Sequence, residues 1–203
     1  MAVESLHVLM EEPSMEELLQ IVLPRLLRPG IELKFIQFGD KGNLLRELPN
    51  RLRGYKQWLP ATAMILVVVD RDGDDCRALK RQLDDAAKRA GFATRSAPQA
   101  NGGFQVMNRI AIEELESWYF GDWPAVRAAY PRMPDLSAKA AYRHPDDIAG
   151  GTWEALEREL QKRGYFGSGL RKREFARAVA EHMLPVRNTS ASFACLRDAL
   201  VAL

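Results

Sequence analysis

The sequence predicts an α/β fold, with a mostly parallel sheet, flanking helices and a helical C-terminal part. Three observations carry this. Strand and helix signals alternate from residue 6 to residue 91, the order that builds parallel sheets through right-handed crossovers. "AMILVVVD" (63–70) is β-branched and apolar on both faces, as a central strand covered on two sides must be. After residue 111 the apolar spacing turns helical, and loops bearing Pro and Gly separate the stretches. The expected division is an α/β core over 1–111 and a helical part over 112–203 packed on it.

Leu6-His7-Val8-Leu9-Met10 reads as the first strand, and Glu11 and Glu12 follow directly at its exit. Pro13 breaks it, and Ser14 with Glu17 has the Ser-x-x-Glu spacing of a capping box. The helix so started runs from Met15 to about Leu27, kinked or shortened at Pro24. "IELKFIQF" (31–38) is a second strand closed by Gly39 and Gly42, and a helix through Leu44, Leu45, Leu48 and Leu52 follows, disturbed by Pro49. The strand at 63–70 comes third. "CRALKRQLDDAAKRAG" (76–91) puts Leu79, Leu83, Ala86 and Ala87 on one helix face and stops at Gly91. Shorter strands are expected at 92–96 and 104–110, and helices at 112–120, 124–130, 153–163, 172–183 and 191–202.

Composition narrows the classes. A net charge of +2 over 203 residues does not demand a polyanionic partner, so any nucleic acid must meet a local patch. Cys76 and Cys195 lack CxxC spacing, which argues against a disulfide framework or structural zinc and fits a reducing compartment. No basic-then-apolar leader opens the chain, and the apolar run 63–69 is too short to span a bilayer. A cytoplasmic location with no membrane partner is expected. P-loop, HExxH and GxSxG patterns are absent.

The chemistry points to strand exits, where open α/β sheets bind ligands. Asp70 and Asp72 leave the central strand two residues apart, and in extended backbone such a pair faces one side. Two adjacent carboxylates repel unless a cation neutralises them, and Mg²⁺ or Mn²⁺ would do so while keeping positions for phosphate oxygens. Asp74 and Asp75 add acidic density, one of them as a cap for the next helix. The competing reading is a solvated acidic turn. An EF-hand fails, because Asp75 and Arg81 stand where its Gly and closing Glu belong. A phosphatase with Asp70 as nucleophile remains open, although Asp74 stands where that loop wants Thr or Ser.

Within 112–120, taken as a helix, Ile112, Leu115, Trp118 and Tyr119 form an apolar face, with Glu116 at its edge, Glu113 beside it and Glu114 pointing away. A bordering acid needs a partner: a salt bridge to Arg109 or Arg127, or a metal shared with the other acids. From Arg158 to Arg177, seven Lys or Arg residues meet only Glu159 and Glu174. "KRGYFGSGLRKR" interleaves Tyr165 and Phe166 with glycines. Lys162, Arg163, Arg171, Lys172 and Arg173 could follow phosphates while an aromatic stacks on a base; otherwise this is a solvated helix–loop–helix with its aromatics in the core. His182 is expected to be packed rather than catalytic.

A strand-end Glu, a crossover, another strand and then a strand-end Asp-x-Asp resembles the Toprim domain of topoisomerases, primases and OLD-family nucleases. Glu11 matches its catalytic glutamate, and Asp70 and Asp72 its aspartate pair. Glu12 stands where that glutamate is usually followed by Gly, which leaves Glu11 and Glu12 as alternatives. "LMEEPS" (9–14), "DRDGDDC" (70–76), "ELESWYFGD" (114–122) and "NTSASF" (188–193) together resemble an uncharacterised bacterial Toprim-like family related to RloB-like proteins. The resemblance implies a Toprim-like core and a Mg²⁺-dependent nuclease acting on DNA or RNA. Its metal would be held by Glu11, Asp70 and Asp72, with Glu116 as an added acid. It also implies an ABC/SMC-type ATPase partner and a role in defence against foreign DNA. A non-catalytic binding or regulatory subunit is the alternative from another class.

Overall fold

The computed structural model describes residues 2–203. Four strands form one sheet: β1 (Ser5–Met10), β2 (Glu32–Gln37), β3 (Ala63–Asp70) and β4 (Val106–Ala111). Their order is β2-β1-β3-β4, and the sheet is all-parallel. The register sets Met10 beside Gln37 on one side and beside Val68 on the other. All eight residues of β3 are buried, whereas β2, at the edge, has only exposed and half-buried positions. The apolar run thus became a central strand for the reason its composition gave: no face of it meets water.

Among the described residues, eight α-helices accompany the sheet: α1 (Pro13–Val22), α2 (Lys41–Trp58), α3 (Cys76–Arg89), α4 (Glu116–Gly121), α5 (Trp123–Ala129), α6 (Thr152–Gln161), α7 (Lys172–His182) and α8 (Ala191–Val201). Pro13 occupies the first helical position of α1, where its missing N–H costs nothing. Glu17 spends its carboxylate on Arg173. The helix ends at Val22, and a 3-10 turn over Leu23–Arg25 holds Pro24. Pro49 lies within an unbroken eighteen-residue α2, whose Leu44, Leu48, Leu52 and Tyr55 are buried. Burial of that face outweighs the one backbone bond a proline forfeits. No strand forms at 92–96, where Thr94 makes only isolated bridges to Ala97 and Val106. Residues 112–115 precede the first turn of α4, so the helical face expected there is not formed.

The chain resolves into two compact units. The first takes the residues up to Glu12, Arg28–Ile110 and Leu203; the second takes Pro13–Leu27 and Ala111–Ala202. Residues 13–27 thus cluster with the C-terminal helices, not with the strands that flank them in sequence. In that second unit α1 packs along α7, and Arg25 at its end donates to the carbonyls of Ala180 (2.8 Å) and Met183 (2.7 Å). No described helix is long and apolar enough to cross a membrane.

Candidate metal and phosphate site at the β1 and β3 exits

In a sheet ordered 2-1-3-4, the chain leaves β1 toward one side and later returns to β3 on the other, which opens a crevice at their carboxyl ends. Glu11 follows β1, and Asp70 is the last residue of β3. Both are buried, and the Asp70 backbone N–H donates to Glu11 Oε1. Burial pushes the Glu11 carboxyl up to about 7, assisted by the Asp72 charge and opposed by the Asp70 N–H bond and by Lys41. Glu12 is only half-buried.

Asp72 reaches the crevice differently from the expectation. β3 ends at Asp70, and Asp72 has φ 48°, the left-handed region. Strand alternation therefore does not align the two carboxylates. A turn closed by Asp74 N–H to the Arg71 carbonyl (3.1 Å) folds the acids back. Aspartate tolerates such backbone better than most residues, because its short polar side chain finds local partners. Asp75 is the helix cap, accepting from Ala78 N–H at 2.6 Å.

Lys41 organises this turn, and the sequence reading missed it. It is the first residue of α2, fixed by Asp40, whose carboxylate accepts from the Asn43 backbone N–H at 2.7 Å. Its Nζ lies 2.5 Å from Asp72 and 2.7 Å from Asp74. The same ammonium donates to the carbonyls of Arg71 (3.0 Å) and Asp70 (3.3 Å). The only hint in the sequence is "FGDKGN" (38–43): glycines around a cap-forming Asp, at the exit of a strand adjacent to the site.

The donor set suits a hard cation, being carboxylate and carbonyl oxygens throughout. The ammonium shows that this turn already attracts positive charge. Among the described residues, however, no group of three or more His, Cys, Asp or Glu side chains is arranged to hold a metal. Any ion would have to take Asp72 from Lys41.

The second unit accounts for the remaining candidates. Glu116 is 2% exposed and lies 3.6 Å from the Lys172 ammonium. Lys172 also lies 4.6 Å above the Trp153 ring. Glu114, expected to point away, caps α6 instead, accepting from Thr152 Oγ1 (2.9 Å) and Trp153 N–H (3.0 Å). Of the basic residues, Lys162 pairs with Glu159, Arg171 with Glu174 and Arg173 with Glu17. Arg163 is exposed with no carboxylate partner among the described residues. Tyr165 stacks edge-on against Tyr130 and beneath Arg132, and Phe166 packs on Tyr130 and Phe175. Both rings are half-buried. His182, the last residue of α7, is exposed rather than packed.

Two of the four sequence motifs resolve into one hydrogen-bond network. Asn188 Nδ2 donates to the Trp118 carbonyl (2.8 Å), and Trp118 Nε1 donates to Ser192 Oγ (2.9 Å). Asp146 accepts from Ser190 Oγ and Ser192 N–H, both at 2.6 Å. Asp122, fully buried, takes Arg187 through both its oxygens and the Leu184 N–H as well. These contacts tie the α4–α5 junction to the start of α8 and give its buried polar groups partners.

The family described as "Domain of unknown function (DUF4276)" matches residues 10–201. No curated protein matches the chain, and no solved structure does.

Proposed function

Because the chain belongs to the DUF4276 family, whose description carries no activity, we propose a function from the site itself: Mg²⁺- or Mn²⁺-dependent hydrolysis of phosphodiester bonds in DNA or RNA. The observation that carries it is the meeting of Glu11 and Asp70, both buried, at the exits of two adjacent parallel strands. Asp70 and Asp72 would hold the ion, with Glu11 completing the set. Such an ion, when bound, polarises a phosphate and neutralises charge as it develops. A carboxyl that titrates near neutrality, as Glu11 does, is suited to take a proton from water or give one to a leaving oxygen. The resemblance to Toprim-like nucleases supports the same assignment, and on that resemblance alone we add an ABC/SMC-type ATPase partner and a role in defence against foreign DNA.

The test is cleavage of supercoiled, linear and single-stranded DNA and of RNA by the full chain, with Mg²⁺, Mn²⁺ or chelator. Cleavage that needs the metal and disappears in both Asp70→Asn and Asp72→Asn supports the reading. Cleavage that survives either change, or none on any substrate, sinks it for the isolated chain. One observation favours a non-catalytic binding subunit instead: Lys41 already satisfies Asp72 and Asp74. That reading expects nucleic-acid or protein binding indifferent to divalent ions.

A further inference from the structure

We propose that the open edge of β2 is the contact surface for a second copy of this chain, the two β2 strands running antiparallel so that one sheet continues through both molecules. β2 has β1 on one side and, among the described residues, no strand on the other. The Glu32 N–H donates to the Glu4 carbonyl (2.9 Å) and the Phe38 N–H to the Met10 carbonyl (3.0 Å), so the even-numbered residues turn their main-chain groups toward β1. By strand alternation Leu33 and Phe35 aim theirs at the open edge, ready to pair with another strand. Ile31, Leu33, Phe35, Ile36 and Phe38 are all half-buried, an apolar content that argues against an edge built to stay in water.

The charges choose both partner and register. Lys34 lies beside His7 in the ladder, and His7 packs on the Tyr55 and Trp58 rings, which puts Glu32 and Lys34 on the α2 face and Leu33 and Phe35 on the opposite one. A two-fold axis at Glu32 or at Lys34 would set like charges against each other. An axis at Phe35 would leave both charges opposite apolar residues. An axis at Leu33 sets Glu32 opposite Lys34 of the second copy, twice, with Leu33 on Leu33 and Ile31 on Phe35 across the other face. The Lys34 and Glu32 side chains are 44% and 63% exposed and pair within the chain at 3.1 Å, so both can reach across instead. A lone edge lysine repels a second strand; Glu32 lifts that repulsion for this same strand reversed. A stable interface needs roughly 1,200 Å², more than one strand supplies. A groove of about 530 Å³ continues the surface along α2, lined by Phe38, Arg51, Tyr55 and Trp58, and Trp58 is 61% exposed.

The experiment is sedimentation equilibrium of the full chain, comparing wild type, Glu32→Lys, Lys34→Glu, the double variant carrying both changes, and an equimolar mixture of the two single variants. Wild type is expected to be a dimer. Each single change puts like charges face to face on both sides of the axis and is expected to weaken dimerisation at least about tenfold. The double variant restores opposite charges and is expected to dimerise as wild type does, and the mixture is expected to form the mixed dimer. Both side chains are exposed, and circular dichroism is expected to show every variant folded. A wild type that stays monomeric up to its solubility limit overturns the proposal and leaves the edge to a strand of another protein. A dimer that survives both single changes overturns it as well, because the interface then lies elsewhere. Loss in the single variants without recovery in the double variant or the mixture refutes the Leu33-centred register.

Discussion

Replacing Glu11 by Gln isolates the energy of holding an acid in the crevice. A carboxyl that ordinarily titrates at 4.5 is raised to about 7 here, first by burial. The folded chain therefore keeps its proton at pH values where the unfolded chain has lost it. Below about pH 4.5 both states are protonated and Glu11 carries no penalty. As pH rises toward 7 stability falls, and above 7 the full penalty stands, about 3.5 kcal/mol at ~1.4 kcal/mol per pH unit. Gln does not titrate, and its amide oxygen can still accept the Asp70 N–H. Urea unfolding in chelator, at pH 5 and 8.5, is the assay. The stability of Glu11→Gln relative to wild type is expected to grow by about 2.5 kcal/mol between these pH values. Excess Mn²⁺ is expected to erase most of that difference by stabilising the ionised wild-type acid. Parallel pH curves for the two proteins would refute the reasoning, because a Glu11 without strong desolvation gives no such divergence.

Arg187→Met leaves the fully buried Asp122 with only its Leu184 N–H bond, and an uncompensated buried carboxylate costs about 3–5 kcal/mol. The thermal midpoint should fall by roughly 6–20 °C at this chain length. Gly121→Ala places a Cβ 2.1 Å from Asn188 Oδ1 and 2.8 Å from the Ser190 nitrogen; overpacking of this kind costs about 1–3 kcal/mol, measurable by chemical denaturation. Arg163→Ala, at an exposed cation without a carboxylate partner among the described residues, should weaken duplex-DNA binding and lower the slope of log affinity against log salt by about one. The same change at Arg171, already paired with Glu174, is expected to lower that slope less.

The α/β order was legible because it rests on local patterns: the apolar strand at 63–70, the helical spacing of Leu79 and Leu83, the punctuation by Gly91. Asp70 and Glu11 were legible for a related reason, since a charged residue just after an apolar strand can only sit at its exit. Asp72 was assigned to the same place by a strand argument that does not hold beyond Asp70, because the left-handed residue bends the chain. Lys41 was not legible. Its role depends on a loop 29 residues away in sequence, and one lysine among many carries no periodicity. The helix expected over 112–120 misled in the same way. Its apolar spacing came from residues buried individually around α4, so Glu114 was turned outward when it in fact caps α6. The strand expected at 92–96 had the right composition, but Thr94 found only isolated bridges.

The four sequence motifs divide by physical task. "LMEEPS" and "DRDGDDC" supply Glu11, Asp70, Asp72 and Asp74, which with Lys41 make a charged cluster at the strand exits. A buried carboxyl raised to about 7 destabilises the ionised fold, so packing alone gives no reason to keep an acid there. "ELESWYFGD" and "NTSASF" behave oppositely. Trp118, Asp122, Asn188, Ser190 and Ser192 each find a partner, and Gly121 is small because Asn188 lies against it. Substitutions there should be read out in stability, and those at the strand exits in binding and pH response. A variant such as Asp72→Asn sharpens the contrast. It removes one carboxylate from Lys41 at a half-exposed position, so it should cost under about 1 kcal/mol of stability while removing an oxygen that a cation needs. If Asp72→Asn instead destabilised the chain as strongly as Arg187→Met, the strand-exit acids would be a folding device, and the case for chemistry at that crevice would be lost.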